Sequence, residues 1–358
     1  MERRVKECGP VIRIQNIYHM LAYAFRVLNE REYKWVEAER FENTAELFAA
    51  ILARGIGTLI KSGLGREYVR DTEALSAVRG RIELDETIRT RAIHRKQLVC
   101  SYDDFSVDSH MNRILKSVLL LLLLHAEVSK ERKKELRRLL AYFDPVLTTD
   151  LRTVDWHMRF DRNNRTYRML MAICYLVVKG LLQTQTDGSL RLMEYMDEQC
   201  MHRLYERFIL EYCRREFPGI TANASQIPWQ LDDGHSELLP LMQTDIMLSQ
   251  KERTLIIDAK YYARTTTARF DARTLHSGNL YQIFTYVKNK EASFADEPHE
   301  VSGMLLYAKT DEEIYPQNVY RMSGNRIEVR TLDLNADFSQ IRAQLDGIAK
   351  TYFPDGLA

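Results

Sequence analysis

The stretch TDIMLSQKERTLIIDAKYY, residues 244–262, holds two carboxylates and an ammonium group at spacings that can bring them together. Asp258 and Lys260 lie two residues apart, so on a strand they share one face while Ala259 takes the other. A polar turn over 249–253, a loop of about five residues, would fold Asp245 back to the level of Asp258. Carboxylates set side by side repel unless a cation lies between them. A hard divalent ion such as Mg²⁺ or Mn²⁺ takes carboxylate oxygens and water. A lysine beside it can orient or help deprotonate that water and neutralise charge building on a phosphate. Asp245, Asp258 and Lys260 are thus a chemically complete set for metal-assisted phosphodiester hydrolysis. The alternative is a surface hairpin with an exposed ion pair worth little. Against it stands the unbroken apolar run Leu255-Ile256-Ile257, the pattern of a strand covered on both faces.

Neighbouring segments offer helpers. Gln282 and Tyr286 are four residues apart in NLYQIFTYVKNKE, which places them on one helical face. From a helix beside the sheet they would join the catalytic set, aiming a carboxamide and a phenol at the metal or the scissile phosphate. Otherwise they are a polar flank of the Leu280/Ile283/Phe284/Val287 core stripe. Arg264, Arg269 and Arg273 punctuate the Thr-rich YYARTTTARFDARTLHSG, read as a loop, and are candidates for DNA phosphate contacts or simply solvated. In LYERFILEY, Glu206 is a candidate further metal ligand, acting through a water. It is equally a surface acid pairing with Arg203 or Arg207, and Glu211 is the other acid of that stretch.

The elements that must position these residues follow from hydrophobic periodicity. NIYHMLAYAFRVLN and TAELFAAILARGIGTLIKSGL have helical spacing and open the chain with two helices. VRGRIELDETIRT to LVCSYDDFSVD is richer in β-formers and turn residues. Within it Arg79 and Arg81 alternate, which on a strand puts them on one face as a basic binding arm, or as two solvated arginines. SHMNRILKSVLLLLLLHA begins after Ser109, a helix cap, and reads as a long buried helix. SKERKKELRRLLAYF is amphipathic with a basic outer face, and YRMLMAICYLVVKGLL is another core helix. The break QTQTDGS over 183–189 marks the domain boundary. Beyond it come a helix ending at Pro218-Gly219, a mostly β centre and a closing helix, SQIRAQLDGIAKTYF. The fold class expected is α+β: a helical domain with an inserted β-rich arm over 1–186, and an α/β core over 187–358.

Composition removes several classes. The 358 residues exceed one usual core, and 45% hydrophobic with 28% charged residues is a normal globular mix. The net charge is only +1, so attraction to nucleic acid must come from local patches. VLLLLLLHA falls far short of the roughly 20 apolar residues of a membrane span. The charged start MERRVKECGP is no signal peptide, and the five scattered cysteines contain no CxxC pair. A cytoplasmic protein with reduced thiols and no membrane partner is expected. GxxxxGK[ST], HExxH and GxSxG are all absent, so this chain binds no nucleotide through a phosphate loop.

Asp245, then Asp258-Ala259-Lys260, then Gln282 and Tyr286 resemble the PD-(D/E)xK nuclease superfamily, in its branch with a Q-xxx-Y helix. More narrowly, IRIQNIYHMLAYAF, VRGRIELDETIR, DDFSVDSHMNRILKS, LLPLMQTDIML, LIIDAKYY and NLYQIFTYV resemble the McrC family, nuclease subunits of McrBC modification-dependent restriction systems. The resemblance implies an endonuclease core in the C-terminal half, cutting double-stranded DNA that contains 5-methylcytosine. It also implies a partner, an McrB-like AAA+ GTPase ring, which recognises the modified cytosine and whose GTP hydrolysis this chain stimulates. The N-terminal half would be the stalk entering that ring. Thr244 stands where the superfamily name has proline, a position that carries no ligand. Two alternatives remain: a standalone recombination or repair nuclease, and a non-catalytic adaptor that only activates a GTPase.

Overall fold

The computed structural model describes residues 12–25, 28, 39–160, 165–187, 198–261, 266–269, 272–294, 298–309 and 315–354. The chain divides into two compact units: Glu42–Leu192, and Met1–Phe41 together with Met193–Ala358. The later division lies just beyond the expected boundary. The first 41 residues, expected with the N-terminal half, instead belong to the C-terminal unit. They carry helix α1 (Ile14–Ala24).

The middle unit runs through α2 (Thr44–Ser62), β1 (Glu67–Leu75), β2 (Arg81–Ile82), α3 (Leu84–Arg89), β3 (Leu98–Ser106), α4 (His110–Leu124), α5 (Lys130–Leu140) and α6 (Arg165–Asp187). Side chains that favour caps start the helices: Asn43, Ser109 and Ser129 each accept a backbone N–H of the first turn. The leucine-rich α4 buries Ile114, Leu115, Val118, Leu119 and Leu122 while exposing Leu120 and Leu124, so it is a one-sided helix rather than one buried all round. On α5 only Leu136 is buried, leaving its basic face outward. Buried Asn112 ties three segments: its Nδ2 donates to the Gly65 and Val107 carbonyls, and its Oδ1 accepts from Tyr167. Strands β1, β3 and β2, in that order, form an antiparallel sheet whose outer strand β1 is largely exposed.

The other unit adds α7 (Glu198–Glu216), β4 (Thr221–Asn223), β5 (Gln226–Ile227), β6 (Met242–Gln243), β7 (Ile246–Gln250) and β8 (Arg253–Lys260). Then come β9 (Thr266–Arg269), β10 (Ala272–Leu275), α8 (Ser277–Ala292), β11 (Glu300–Ala308), β12 (Asn318–Met322), β13 (Asn325–Leu332) and α9 (Phe338–Tyr352). The main sheet has the order β12-β13-β11-β8-β7-β4, parallel among β13, β11 and β8 and antiparallel toward both edges. On one face Ile257, Leu248 and Leu306 pack with Ile209 and Cys213 of α7 and Leu345 and Ile348 of α9. On the other, Ile256, Leu305 and Ile327 form a core with Ile283 and Val287 of α8. Gly303 permits that approach, since a Cβ there would lie 2.8 Å from Ile283 and Val287. Coverage on both faces accounts for the apolar run in β8.

Helix α1 completes this unit through polar clasps as well as apolar burial. Asn16 Nδ2 donates to the Leu334 and Ala336 carbonyls, and Tyr23 donates to Glu216 at the end of α7. Its amphipathic pattern required a partner surface without saying which, and the partners lie more than 190 residues along the chain.

Candidate active site

Strands β7 and β8 form the expected hairpin, with Ile246 opposite Ile257 and Gln250 opposite Arg253. The turn is tighter than the five-residue loop expected. Only Lys251 and Glu252 lie between the paired residues, because Lys251 takes a left-handed φ of 49°. The register sets Asp245 at the level of Asp258, and Asp245 Oδ2 accepts the Ala259 N–H at 2.9 Å.

Asp258 and Lys260, only 1% and 7% exposed, are buried at the end of the apolar strand. Lys260 Nζ lies 2.9 Å from Asp258 Oδ1. The approach is ionic rather than a well-directed hydrogen bond: neither oxygen of Asp258 has a hydrogen-bond partner of normal geometry. Burial pushes both acids up. For Asp245, desolvation is reinforced by the charges of Asp258 and Glu206 and opposed by Lys260, and its pKa rises to about 8. Desolvation also raises Asp258, with Lys260 as the main opposing charge. Lys260 is the main charge opposing this upward push on both acids.

Helix α8 braces this cluster. Gln282 Oε1 accepts from Lys260 Nζ at 3.4 Å, Gln282 Nε2 donates to the Tyr286 hydroxyl at 3.0 Å, and Tyr286 donates to the Gln243 carbonyl at 3.1 Å. Gln282 thus meets the lysine directly, whereas the buried phenol of Tyr286 is tied to the backbone two residues before Asp245. The Tyr286 hydroxyl is engaged by Gln282 and the Gln243 carbonyl, where the sequence predicts it reaching toward the metal or the phosphate.

On α7, Glu206 pairs neither with Arg203 nor with Arg207: His202 Nδ1 lies 2.7 Å from its Oε1. Glu206 is close enough to raise Asp245, whereas Glu211 is paired with Arg214 at 2.7 Å. Of the two acids considered on this helix, Glu206 is the one whose charge reaches Asp245. His202 was missed. Its spacing of four residues from Glu206 was the available signal.

Arg264 lies outside the described residues. Arg269 and Arg273 stand on a β9–β10 hairpin, opposite Ala272 and Ala268, rather than on the loop expected. The β-branched Thr266 and Thr267 suit a strand better than a loop.

Arg79 and Arg81 do not share a strand. Arg79 precedes β2, separated from Arg81 by Gly80, whose φ of 71° and closeness to the Ser101 carbonyl (2.4 Å from an added Cβ) exclude any side chain. The Arg79 guanidinium lies 3.9 Å over the Tyr102 ring and 2.8 Å from Asp104. Arg81 is exposed and, with Arg70, Arg79 and Tyr102, borders a concavity of about 480 Å³.

Among the described residues, no three His, Cys, Asp or Glu side chains form a ready-made metal-binding group. The donors at the hairpin end are nonetheless hard oxygens: Asp245, the unsatisfied carboxylate of Asp258, and Glu206 farther out. That set suits Mg²⁺ or Mn²⁺ far better than a soft metal.

A layered α/β unit with a buried Asp/Asp/Lys cluster, joined in one chain to a helical unit bearing a β arm, defines a two-unit protein of mixed α and β structure. The McrBC 5-methylcytosine restriction system component model matches residues 8–308, and the chain belongs to that family. It is 30% identical over 348 residues to the Type IV methyl-directed restriction enzyme EcoKMcrBC of Escherichia coli (strain K12), a match covering 96% of this chain and 99% of that relative. Similarity to solved structures is looser. A refined half-complex from the tetradecameric assembly of Thermococcus gammatolerans McrB AAA+ hexamers with bound McrC is 18% identical, with TM-score 0.48, covering 94% of this chain and 76% of that one. A cryo-EM structure of the Thermococcus gammatolerans McrBC complex is 21% identical, with TM-score 0.40, covering 57% and 58%. Among the described residues no helix is long and apolar enough to cross a membrane.

Proposed function

We propose that this chain is the endonuclease subunit of a modification-dependent restriction system. In this reading it hydrolyses phosphodiester bonds of double-stranded DNA carrying 5-methylcytosine, and is activated by an AAA+ GTPase whose hydrolysis it stimulates. The observation that carries the catalytic part is Asp258, buried with both oxygens unsatisfied between a second acid and a single lysine. Burying a charge costs several kcal/mol unless it is compensated. Family membership and the absence of a phosphate loop support a division of labour with a nucleotide-hydrolysing partner.

Asp245 and Asp258 would hold Mg²⁺ or Mn²⁺, with Glu206 acting through water. Bound there, the ion would supply Lewis-acid polarisation of the phosphate and a more acidic attacking water. Lys260 sits on the same side of the sheet as Asp258 and would stabilise charge developing on the phosphate oxygens. Gln282 holds the lysine, and Tyr286 fixes the segment leading to Asp245. Arg264, Arg269 and Arg273 would contact the DNA backbone from the segment between β8 and α8. The core would be of the PD-(D/E)xK type, and the cleavage function would occupy the C-terminal unit while the 42–192 unit serves the partner. On its arm, Arg81 is the better candidate contact, because Arg79 is already held by Tyr102 and Asp104.

The test is cleavage of cytosine-methylated and unmethylated DNA with and without the partner GTPase and GTP. Cutting only of methylated DNA, and only with partner and GTP, is expected. Equal cutting of both DNAs by the chain alone would favour the standalone nuclease. GTPase stimulation without any cutting would favour the adaptor.

A further inference from the structure

Resting on that metal-centre reading, we propose that His202 is a positioning residue that holds Glu206 as the third carboxylate of the cleavage centre. The two residues are one turn apart on α7, and the 2.7 Å contact engages Nδ1 with Oε1 only. Among the described residues Glu206 makes no other ion pair or hydrogen bond. The nearby Arg207 is committed elsewhere: its Nε donates to the Ala24 carbonyl at 3.0 Å and its guanidinium lies 5.1 Å over the Phe25 ring.

The helix itself is firmly placed. Tyr205, fully buried, donates to the Leu306 carbonyl on β11 at 3.4 Å and packs near Tyr261, just past the end of β8. The backbone of the next residue, Glu206, therefore lies near the end of β8. Its charge is felt by Asp245, and that of His202 by Asp258. An unrestrained glutamate samples many rotamers, and ordering it on metal binding has an entropic cost. A histidine contact from the preceding turn favours one rotamer in advance and, in this proposal, leaves Oε2 for the centre. Residues that orient metal-binding carboxylates in this way typically change metal affinity by about 10–100-fold when removed.

The experiment is calorimetric titration of Mn²⁺ into the full chain, without partner or DNA, so that the readout is binding rather than cleavage. His202→Leu, which keeps bulk but removes the donor, should weaken Mn²⁺ binding by about tenfold or more. His202→Gln, which keeps a donor, should recover most of that loss. Glu206→Ala should weaken binding comparably, and the double variant His202→Leu/Glu206→Ala should be no worse than Glu206→Ala alone. Unchanged affinity in His202→Leu, or losses that multiply in the double variant, would overturn the positioning role. Asp258→Ala separates the two readings. If it binds Mn²⁺ as tightly as the native chain, the metal-centre reading fails and the His202 proposal with it. If it loses Mn²⁺ while His202→Leu keeps it, only the positioning role falls.

Discussion

The two β-containing regions of this protein use charge in opposite ways. In the main sheet, β8 is buried almost throughout and ends in Asp258 and Lys260, whose ionic groups are shielded from water and braced by α8. In the arm, β1 is mostly exposed. There Tyr68 and Phe105 lie open with rings 5.0 Å apart, and Arg81 projects into solvent. Exposed ion pairs such as Arg79–Asp104 are screened and individually weak, whereas a buried acid pair is costly and is kept only where something compensates it. Under the proposed function the costly site is the place for chemistry, and the open arm, with its exposed aromatics and arginine, the place for binding. The two regions should therefore fail separately when mutated.

The largest effect expected is from Asp258→Ala. It should abolish DNA cleavage while leaving stimulation of the partner's GTP hydrolysis intact, measured by gel and by phosphate release on the same preparation. Parallel loss of both activities would show that the two regions are not independent. Lys260→Ala comes next. It keeps both carboxylates, so Mn²⁺ should still bind while cleavage falls by about 10²-fold or more. Cutting at the native rate would remove the lysine from the mechanism.

The arm should give a smaller and opposite pattern. Arg81→Glu should reduce GTPase stimulation by about tenfold, equivalent to ~1.4 kcal/mol, and leave Mn²⁺ affinity untouched. Arg79→Ala should act less through contact than through the lost stack on Tyr102. If Arg79→Ala is the more damaging for stimulation at unchanged stability, the assignment of Arg81 as the contact is wrong.

The smallest effect is on stability against pH. The folded pKa of Asp245, about 8, lies above its ordinary 3.8. The stability it contributes is therefore fully present below the unfolded value and lost as pH rises through the folded one. Metal-free protein should thus lose stability between about pH 4 and pH 8 relative to Asp258→Asn, which removes the neighbouring charge, at about 2–4 °C of melting temperature per kcal/mol. By the same linkage, Mn²⁺ must displace the proton and should bind more tightly as pH approaches 8. A native protein whose melting curve tracks Asp258→Asn at every pH would contradict the coupled-acid account.

These contrasts were unevenly legible in the sequence. Asp245, Asp258 and Lys260 could be placed together because strand alternation and an apolar run leave few other arrangements. The start of α4 was readable from Ser109, whose side chain acts locally, and Asn43 and Ser129 cap α2 and α5 in the same way. What escaped depended on distant partners or on backbone conformations that residue type does not announce. Helix α1 has a clear apolar face, but nothing local says that it packs with residues 198–216 and 333–338. The turn at Lys251 is tight through a left-handed φ on a residue that seldom adopts one. Gly80 breaks the alternation on which pairing Arg79 with Arg81 relied. The β12–β13 and β9–β10 hairpins each have a strand of only four or five residues, too short for periodicity to mark.

The central claim is that the buried acids at the end of β8 bind a divalent ion. A partner-dependent cleavage assay cannot isolate this, because nucleotide hydrolysis by the GTPase needs its own metal. The direct measurement is anomalous diffraction from crystals of the full chain soaked in Mn²⁺. The account predicts an anomalous peak within bonding distance of both Asp245 and Asp258, absent in Asp258→Ala crystals. Well-ordered crystals with no peak there, and Lys260 still against Asp258, would contradict it.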